Sequence, residues 1–149
     1  MIPLSHLKHA IVEFRAAAAR AGREPDSVAV KAPGTVHVTS NLERARAQQA
    51  GTLSFCAARM GTFYAEQLTR FGFGDDVRRV REAWAAGGSK AGSEAVSRRL
   101  LDEMGYVGDV AGARERLAAQ AEAGADLHRV EIDAPDLAGY ERTLAALVD

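Results

Sequence analysis

Three side chains near the ends of two apolar segments could carry acid–base chemistry. His37 lies in TVHVT, and an imidazole can donate or accept a proton near neutral pH. Glu131 and Asp133 alternate along one side of LHRVEID, where paired carboxylates could act as acid and base or orient a base. The alternatives are an ordinary half-buried strand histidine, and carboxylates that cap a helix or meet solvent.

A second set of candidate residues lies in ARMGTFYAEQLTRFGFG, from Ala58 to Gly74. Arg59 and Tyr64 supply a guanidinium and a phenol, which suit an anionic or planar ligand. The phenylalanines of this stretch have no polar group and are expected to pack in a core. His6 and His9 could share a helix face, but two histidines without a third ligand predict no metal site.

The bulk properties restrict the class of protein. A length of 149 residues suits one domain, 1–149, and a net charge of −1 argues against a nucleic-acid surface. No apolar run reaches the roughly 20 residues that span a bilayer, and MIPLSHLKHA lacks the pattern of a signal peptide. Cys56 is the only cysteine, and we expect it to be a small buried hydrophobe. These features predict a cytoplasmic protein that binds neither nucleic acid nor membrane.

The elements that must position these side chains alternate between helix and strand. Helical spacing of apolar residues predicts a first helix over Leu4–Ala21, and a strand follows over Val28–Val38 with a bend at Pro33–Gly34. SNLE, from Ser40 to Glu43, is a capping-box pattern that starts a long helical region. AAGGSKAGS, at residues 85–93, predicts a flexible connector within that region.

The last third of the chain repeats the alternation. Asp109 is expected to cap a helix over Val110–Ala123, which a strand at Leu127–Ile132 and a final helix follow. Strands that alternate with helices indicate a parallel sheet with crossover connections. Only two good strands are found, and two parallel strands give a poor core. The chain therefore looks like a slice of a larger barrel.

Four stretches, in order and covering nearly the whole chain, carry a resemblance to a known family. They are FRAAAARAGREPDSVAV, ARMGTFYAEQLTRFGFGDDVRRVREAWAAG, VGDVAGARERLAAQAEAGADL and YERTLAAL. Together they resemble the C-terminal part of the bacterial luciferase-like oxidoreductases, and the most similar branch uses the deazaflavin coenzyme F-420. The ordered set is a specific signal, whereas a single piece such as AEAGADL is weak.

The resemblance implies an α/β fold: the last strands and helices of a (β/α)8 barrel, mostly helical, with a large helical insertion at about residues 41–106. Family barrels place active sites at the C-terminal ends of their strands. We therefore predict His37 and Glu131 as catalytic residues. Thr39 and Ser40 at the same strand end, and Arg59 and Tyr64 in the insertion, are predicted to contact cofactor or substrate.

The implied function is that of an oxidoreductase that uses coenzyme F-420 or FMN to transfer hydride or activate oxygen on a small molecule. The first six strands, which carry most of the cofactor contacts in such barrels, are expected to come from a complementary chain or a longer gene product. The alternative is a non-catalytic interaction module, with its strand edges covered by another copy in a homo-oligomer.

Overall fold

The computed structural model describes residues 1–148 and divides them into two compact units. The helical unit comprises Asn41–Gly105 together with Met1, and the sheet unit comprises Ile2–Ser40 and the residues from Tyr106 onward. The insertion predicted at 41–106 covers nearly the same residues as the helical unit, except that Tyr106 lies in a strand. The assignment of residues 1–149 to a single domain stays a prediction.

The helical unit contains four α-helices and one π-helical turn. The helices are α2 (Leu42–Arg59), α3 (Phe63–Leu68), α4 (Gly74–Glu94) and α5 (Arg98–Met104), and the π-helical turn at Thr69–Phe73 joins α3 to α4. Gly61, two residues after α2, adopts φ +67°, a value that residues with a Cβ rarely reach. Arg81 secures this end, because its guanidinium donates to the carbonyl oxygens of Ala57 (2.9 Å) and Gly61 (3.1 Å).

The helical unit buries one apolar cluster, which has Phe73 among its largest members. Other buried side chains come from every helix of the unit and include Leu53, Leu68, Val80, Leu100 and Met104. Ser54 is also fully buried, and its hydroxyl bonds the Gly51 carbonyl oxygen (3.0 Å) and approaches that of Ser93 (3.2 Å). Residues distant in sequence are thus held by one core.

Two local predictions in this unit were wrong. The cap of α2 is Asn41 and not Ser40: the Asn41 side chain accepts from the Arg44 amide at 3.2 Å. The predicted connector at residues 85–93 is helical on both sides of a kink at Gly87 and Gly88. The segment beyond the kink packs on α2, where the Ser93 hydroxyl lies 3.2 Å from that of Ser54.

The sheet unit surrounds a small parallel sheet. Its helices are α1 (Leu4–Arg20), α6 (Val110–Glu122) and α7 (Leu137–Val148), and its strands are β1 (Val36–Val38), β2 (Tyr106–Gly108) and β3 (Val130–Ile132). The predicted long strand at Val28–Val38 is reduced to β1 and an isolated bridge at Lys31, with the expected bend at residues 33–34 between them. Asp109 caps α6 as predicted, because its carboxylate accepts from the Gly112 amide at 2.9 Å.

The strand order is β2-β1-β3, and both pairings are parallel. The expectation of two strands was wrong, since β2 pairs with β1 in a register that sets Val36 opposite Tyr106 and Val38 opposite Gly108. β3 lies on the other side and sets His37 opposite Glu131. The described fold is therefore a mostly helical α/β structure with a three-stranded parallel sheet. Within residues 1–148, no helix combines the length and apolarity that crossing a membrane requires.

The Tyr106 ring crosses the start of α6 in close contact with two glycines. A Cβ at either Gly108 or Gly112 would overlap the Tyr106 hydroxyl. Glycine to alanine normally stabilises a helix by up to about 1 kcal/mol. We expect Gly112→Ala to lower the free energy of unfolding by about 1–2 kcal/mol instead, because displacing the ring costs more than the helix gains. Urea denaturation measures this difference.

Gly51, inside α2, is the matched control. A Cβ there would meet only the Ser93 hydroxyl, at an ordinary 3.8 Å. Gly51→Ala is therefore expected to stabilise the protein by up to about 1 kcal/mol. Combining Gly112→Ala with Tyr106→Ala should remove most of the Gly112→Ala penalty. A stabilising Gly112→Ala would show that the ring moves away at little cost.

Candidate functional site

The two faces of the sheet differ in chemistry. Side chains alternate along a strand, and Val36, Val38, Val130 and Ile132 all pack with α6 and α7 in one apolar cluster. The residues between them, His37 and Glu131, project from the opposite face and lie in register as cross-strand neighbours. The sheet therefore brings together the two predicted catalytic residues on its polar face.

His37 lies between two carboxylates. Its Nε2 is 3.1 Å from Asp133 Oδ2, and its Nδ1 is 3.9 Å from Glu131 Oε2, too far for a hydrogen bond. The imidazole is only 13% exposed. Although Nε2 is close to Asp133, it lacks the alignment of a hydrogen bond, and it is a buried nitrogen with no hydrogen-bond partner among the described residues. The hydrogen-bonding capacity of Nε2 is thus not used within the described residues.

Arg129 is the residue of this site that sequence reasoning missed. Its guanidinium donates to Glu131 Oε1 at 2.7 Å, which leaves Oε2 as the oxygen nearer to His37. The two residues share a face because they are two positions apart in an extended segment. That spacing, next to a carboxylate already under consideration, was the signal that could have identified it. Together, Arg129, Glu131, His37 and Asp133 form a row of charged and titratable groups.

Thr39 and Ser40 follow β1 directly but differ in environment. Thr39 is buried, and its amide donates to the Gly108 carbonyl oxygen at 3.0 Å, so it continues the pairing with β2. Ser40 is exposed. Both lie at the C-terminal end of β1, where the sequence predicted them. Their contact with a cofactor or substrate stays a prediction.

Arg59 and Tyr64 belong to the helical unit, at the end of α2 and the start of α3. Arg59 is exposed, and Tyr64 is half-buried with its ring 5.3 Å from that of Phe63 in an edge-to-face contact. The packing expected of the aromatics holds for Phe71 and Phe73, which join the core cluster. It was wrong for Phe63, which is largely exposed because the buried side of α3 is formed by Ala65 and Leu68 instead.

The other titratable candidates have structural partners. His128 Nδ1 lies 2.9 Å from Oε1 of buried Gln120, whose amide nitrogen is 3.4 Å from the Pro33 carbonyl oxygen. Cys56 is half-buried, and burial raises the pKa of its thiol, which disfavours the nucleophilic thiolate. Across residues 1–148, no group of three or more histidine, cysteine, aspartate or glutamate side chains is arranged to hold a metal ion.

Tyr106 has a raised pKa. Its hydroxyl loses hydration, which is the larger cause, and the Asp109 carboxylate opposes the phenolate. The hydroxyl lies 3.1 Å from the Asp109 carbonyl oxygen and 3.3 Å from Oδ1. Because the folded-state pKa exceeds the usual value near 10, this environment stabilises the fold below about pH 10. That contribution is lost as pH rises through the raised pKa.

We expect Asp109→Asn to lower the pKa of Tyr106 while keeping the helix cap, since asparagine also caps helices. Tyrosinate absorbance measures the change once the other two tyrosines, Tyr64 and Tyr140, are replaced by phenylalanine. An unchanged titration would mean that burial alone raises the pKa.

The donor set on the polar face fits the proton-transfer part of a flavin or deazaflavin site. The buried, unaligned Nε2 of His37 could meet a polar atom of a planar ring system. The carboxylates beside it suit a proton pathway better than a phosphate site, because they repel anions.

Comparisons with known proteins agree with this architecture. The sequence profile of the luciferase-like monooxygenases matches residues 1–127. A coenzyme F420-dependent tetrahydromethanopterin reductase from Methanopyrus kandleri superposes with a TM-score of 0.67 at 17% identity. The superposition covers 97% of this chain but 40% of the reductase, so this chain spans less than half of that enzyme's length. No curated protein sequence matches the chain. Since the profile covers most of its residues, the chain belongs to the luciferase-like monooxygenase family.

Proposed function

We propose that this chain is the C-terminal part of a luciferase-like oxidoreductase that transfers hydride or activates oxygen with a deazaflavin or flavin coenzyme. One observation carries the proposal: a parallel sheet presents a nearly buried histidine between two carboxylates, on the face opposite its packed helices. In a barrel that face would line the interior, where strand ends carry the active site. The dependence on F420 is stated for the reductase, and its extension to this chain is part of the proposal.

The chain supplies only part of such a barrel. Three strands form its sheet, and the chain matches 40% of the longer reductase. The remaining strands would come from a complementary chain or a longer gene product. They would pair with the free sides of β2 and β3 and enclose the polar face.

In the assembled site, the coenzyme would supply the hydride or oxygen chemistry. His37 would donate or accept a proton through Nε2. Glu131 would orient the ring from the Nδ1 side, while Arg129 holds the other oxygen of Glu131. Thr39, Ser40, Arg59 and Tyr64 are proposed to bind the coenzyme or substrate.

The test compares two preparations. The chain produced alone and the chain affinity-purified from the cells that encode it are each titrated with FMN and with coenzyme F-420, and coenzyme fluorescence is recorded. We expect saturable binding of one coenzyme by the purified assembly and far weaker binding by the chain alone. An assembly that binds neither coenzyme, or tight stoichiometric binding by the chain alone, would contradict the proposal.

One observation favours a second candidate function, that of a non-catalytic interaction module. Four large apolar side chains of α7 are exposed, which is more than a surface helix of a self-sufficient protein requires. Under this alternative the chain associates with another protein molecule and binds neither coenzyme. The same titration distinguishes the two functions.

A further inference from the structure

One side of α7 is apolar and uncovered. Leu137, Tyr140, Leu144 and Val148 are 71%, 43%, 41% and 76% exposed, and their spacing places them along one stripe. We call these four residues the α7 stripe. Leu147, by contrast, is buried in the apolar cluster that the sheet shares with α6. Since most of its circumference is apolar, α7 is patterned as a helix with neighbours on two sides.

The α7 stripe faces away from α6. Arg114 of α6 donates to the Ala146 carbonyl oxygen at 3.0 Å, so α6 lies on the Ala146 side of α7. Residues along an α-helix are about 100° apart, which places Leu144 and Val148 about 160° around the helix from Ala146. α6 packs against β1 and β2, whereas α7 follows and packs against β3. The stripe therefore points beyond the outer edge of the sheet, on the β3 side.

That edge of the sheet is unpaired within residues 1–148. The Arg129 carbonyl oxygen accepts from Val36, and the Asp133 amide donates to Val38, both at 2.9 Å. Alternate residues of a strand point their backbone groups to opposite sides, so Val130 and Ile132 direct theirs away from β1. Within the described residues, β3 pairs with β1 alone. A partner that covers this side must supply both a strand edge and an apolar helix surface.

We propose that this side of the sheet unit is a two-fold interface between two copies of the chain, in which β3 pairs antiparallel with β3 and the α7 stripes pack together. A two-fold axis perpendicular to the sheet brings both α7 helices to the same face. The same surface of each copy then contacts its counterpart in the other copy. The charges select a register. Pairing centred on Glu131 sets two like carboxylates opposite each other, which is destabilising. Pairing centred on Val130 sets each Glu131 opposite Arg129 of the second copy.

This dimer and the proposed barrel would use the same edge of β3, so the two states exclude each other. The inference does not rest on the proposed function. Its test contains no coenzyme, and its failure leaves the coenzyme titration unaffected.

Sedimentation velocity of the chain over a range of concentrations gives the first test. We expect a species of twice the 15.9 kDa chain mass. Leu144→Glu places a charge in the stripe and is expected to weaken the dimer at least about tenfold. Ala138→Glu is the matched control, because Ala138 is exposed on the same helix about 120° from Leu144. Circular dichroism verifies that both variants fold.

Charge reversal gives the second test. Arg129→Glu and Glu131→Arg each place like charges across the interface, so each variant should dimerise poorly by itself. Their mixture should form heterodimers, because the opposite charges then face each other across the interface. If Arg129 and Glu131 interacted only within one chain, mixing the variants would not restore association. A wild-type chain that stays monomeric, a dimer insensitive to Leu144→Glu, or a mixture that fails to associate would each overturn the proposal.

Discussion

Phe73→Ala is expected to lower the free energy of unfolding by about 3–5 kcal/mol. The Phe73 side chain is 1% exposed and is the largest fully buried side chain of the described residues. It joins a cluster formed by every helix of the helical unit, so its removal leaves a cavity bordered by several elements. The Arg99 guanidinium lies 4.5 Å from the ring centroid and contributes only a small part, about 0.5–1 kcal/mol.

Phe63→Ala is the matched control for this experiment. The same atoms are deleted ten positions earlier, but the Phe63 ring is largely exposed, so we expect a change within about 0.5 kcal/mol. Fluorescence of Trp84, the single tryptophan, reports unfolding of the helical unit in urea. Equal destabilisation by the two variants would contradict the described core.

His37→Gln is expected to reduce the turnover of the proposed oxidoreductase assembly by about 10²–10⁴-fold, the usual contribution of general acid–base catalysis. Glutamine keeps a polar side chain of similar length but cannot exchange a proton near neutral pH. Binding of the coenzyme should change little, because His37 is proposed to act on the proton rather than to hold the anionic part. Single-turnover kinetics separates the two effects.

His128→Gln provides a comparison for the same assay. His128 lies two positions before β3 and is half-buried, but its Nδ1 is occupied by Gln120. The His128→Gln variant should therefore have a turnover within a few-fold of the wild type. If both substitutions reduced turnover equally, or if neither did, the catalytic assignment of His37 would be wrong.

The α7 stripe and the His37 site illustrate two kinds of sequence signal. The spacing of the apolar residues of α7 predicts a helix with an apolar side, but periodicity cannot tell a buried side from an uncovered one. Leu147 and Leu144 are both apolar, and only the position of the sheet decides that the first is buried and the second exposed. By contrast, Glu131 and Asp133 were predicted to share a face because alternation in a strand is a local property.

The sequence by itself determined the family, the cap of α6 at Asp109, the bend before β1 and the segments that hold β1 and β3. These features depend on local chemistry or on an ordered set of motifs. Only the tertiary structure decided the third strand, because a three-residue segment such as β2 has no measurable periodicity and is defined by its pairing with a strand some 70 residues earlier. Tertiary packing likewise extended α4 through a glycine-rich segment, since beyond the kink Ser93 meets buried Ser54 of α2. It also set His37 between Glu131 and Asp133, as the register of two distant strands is fixed by the core they share and not by either segment alone.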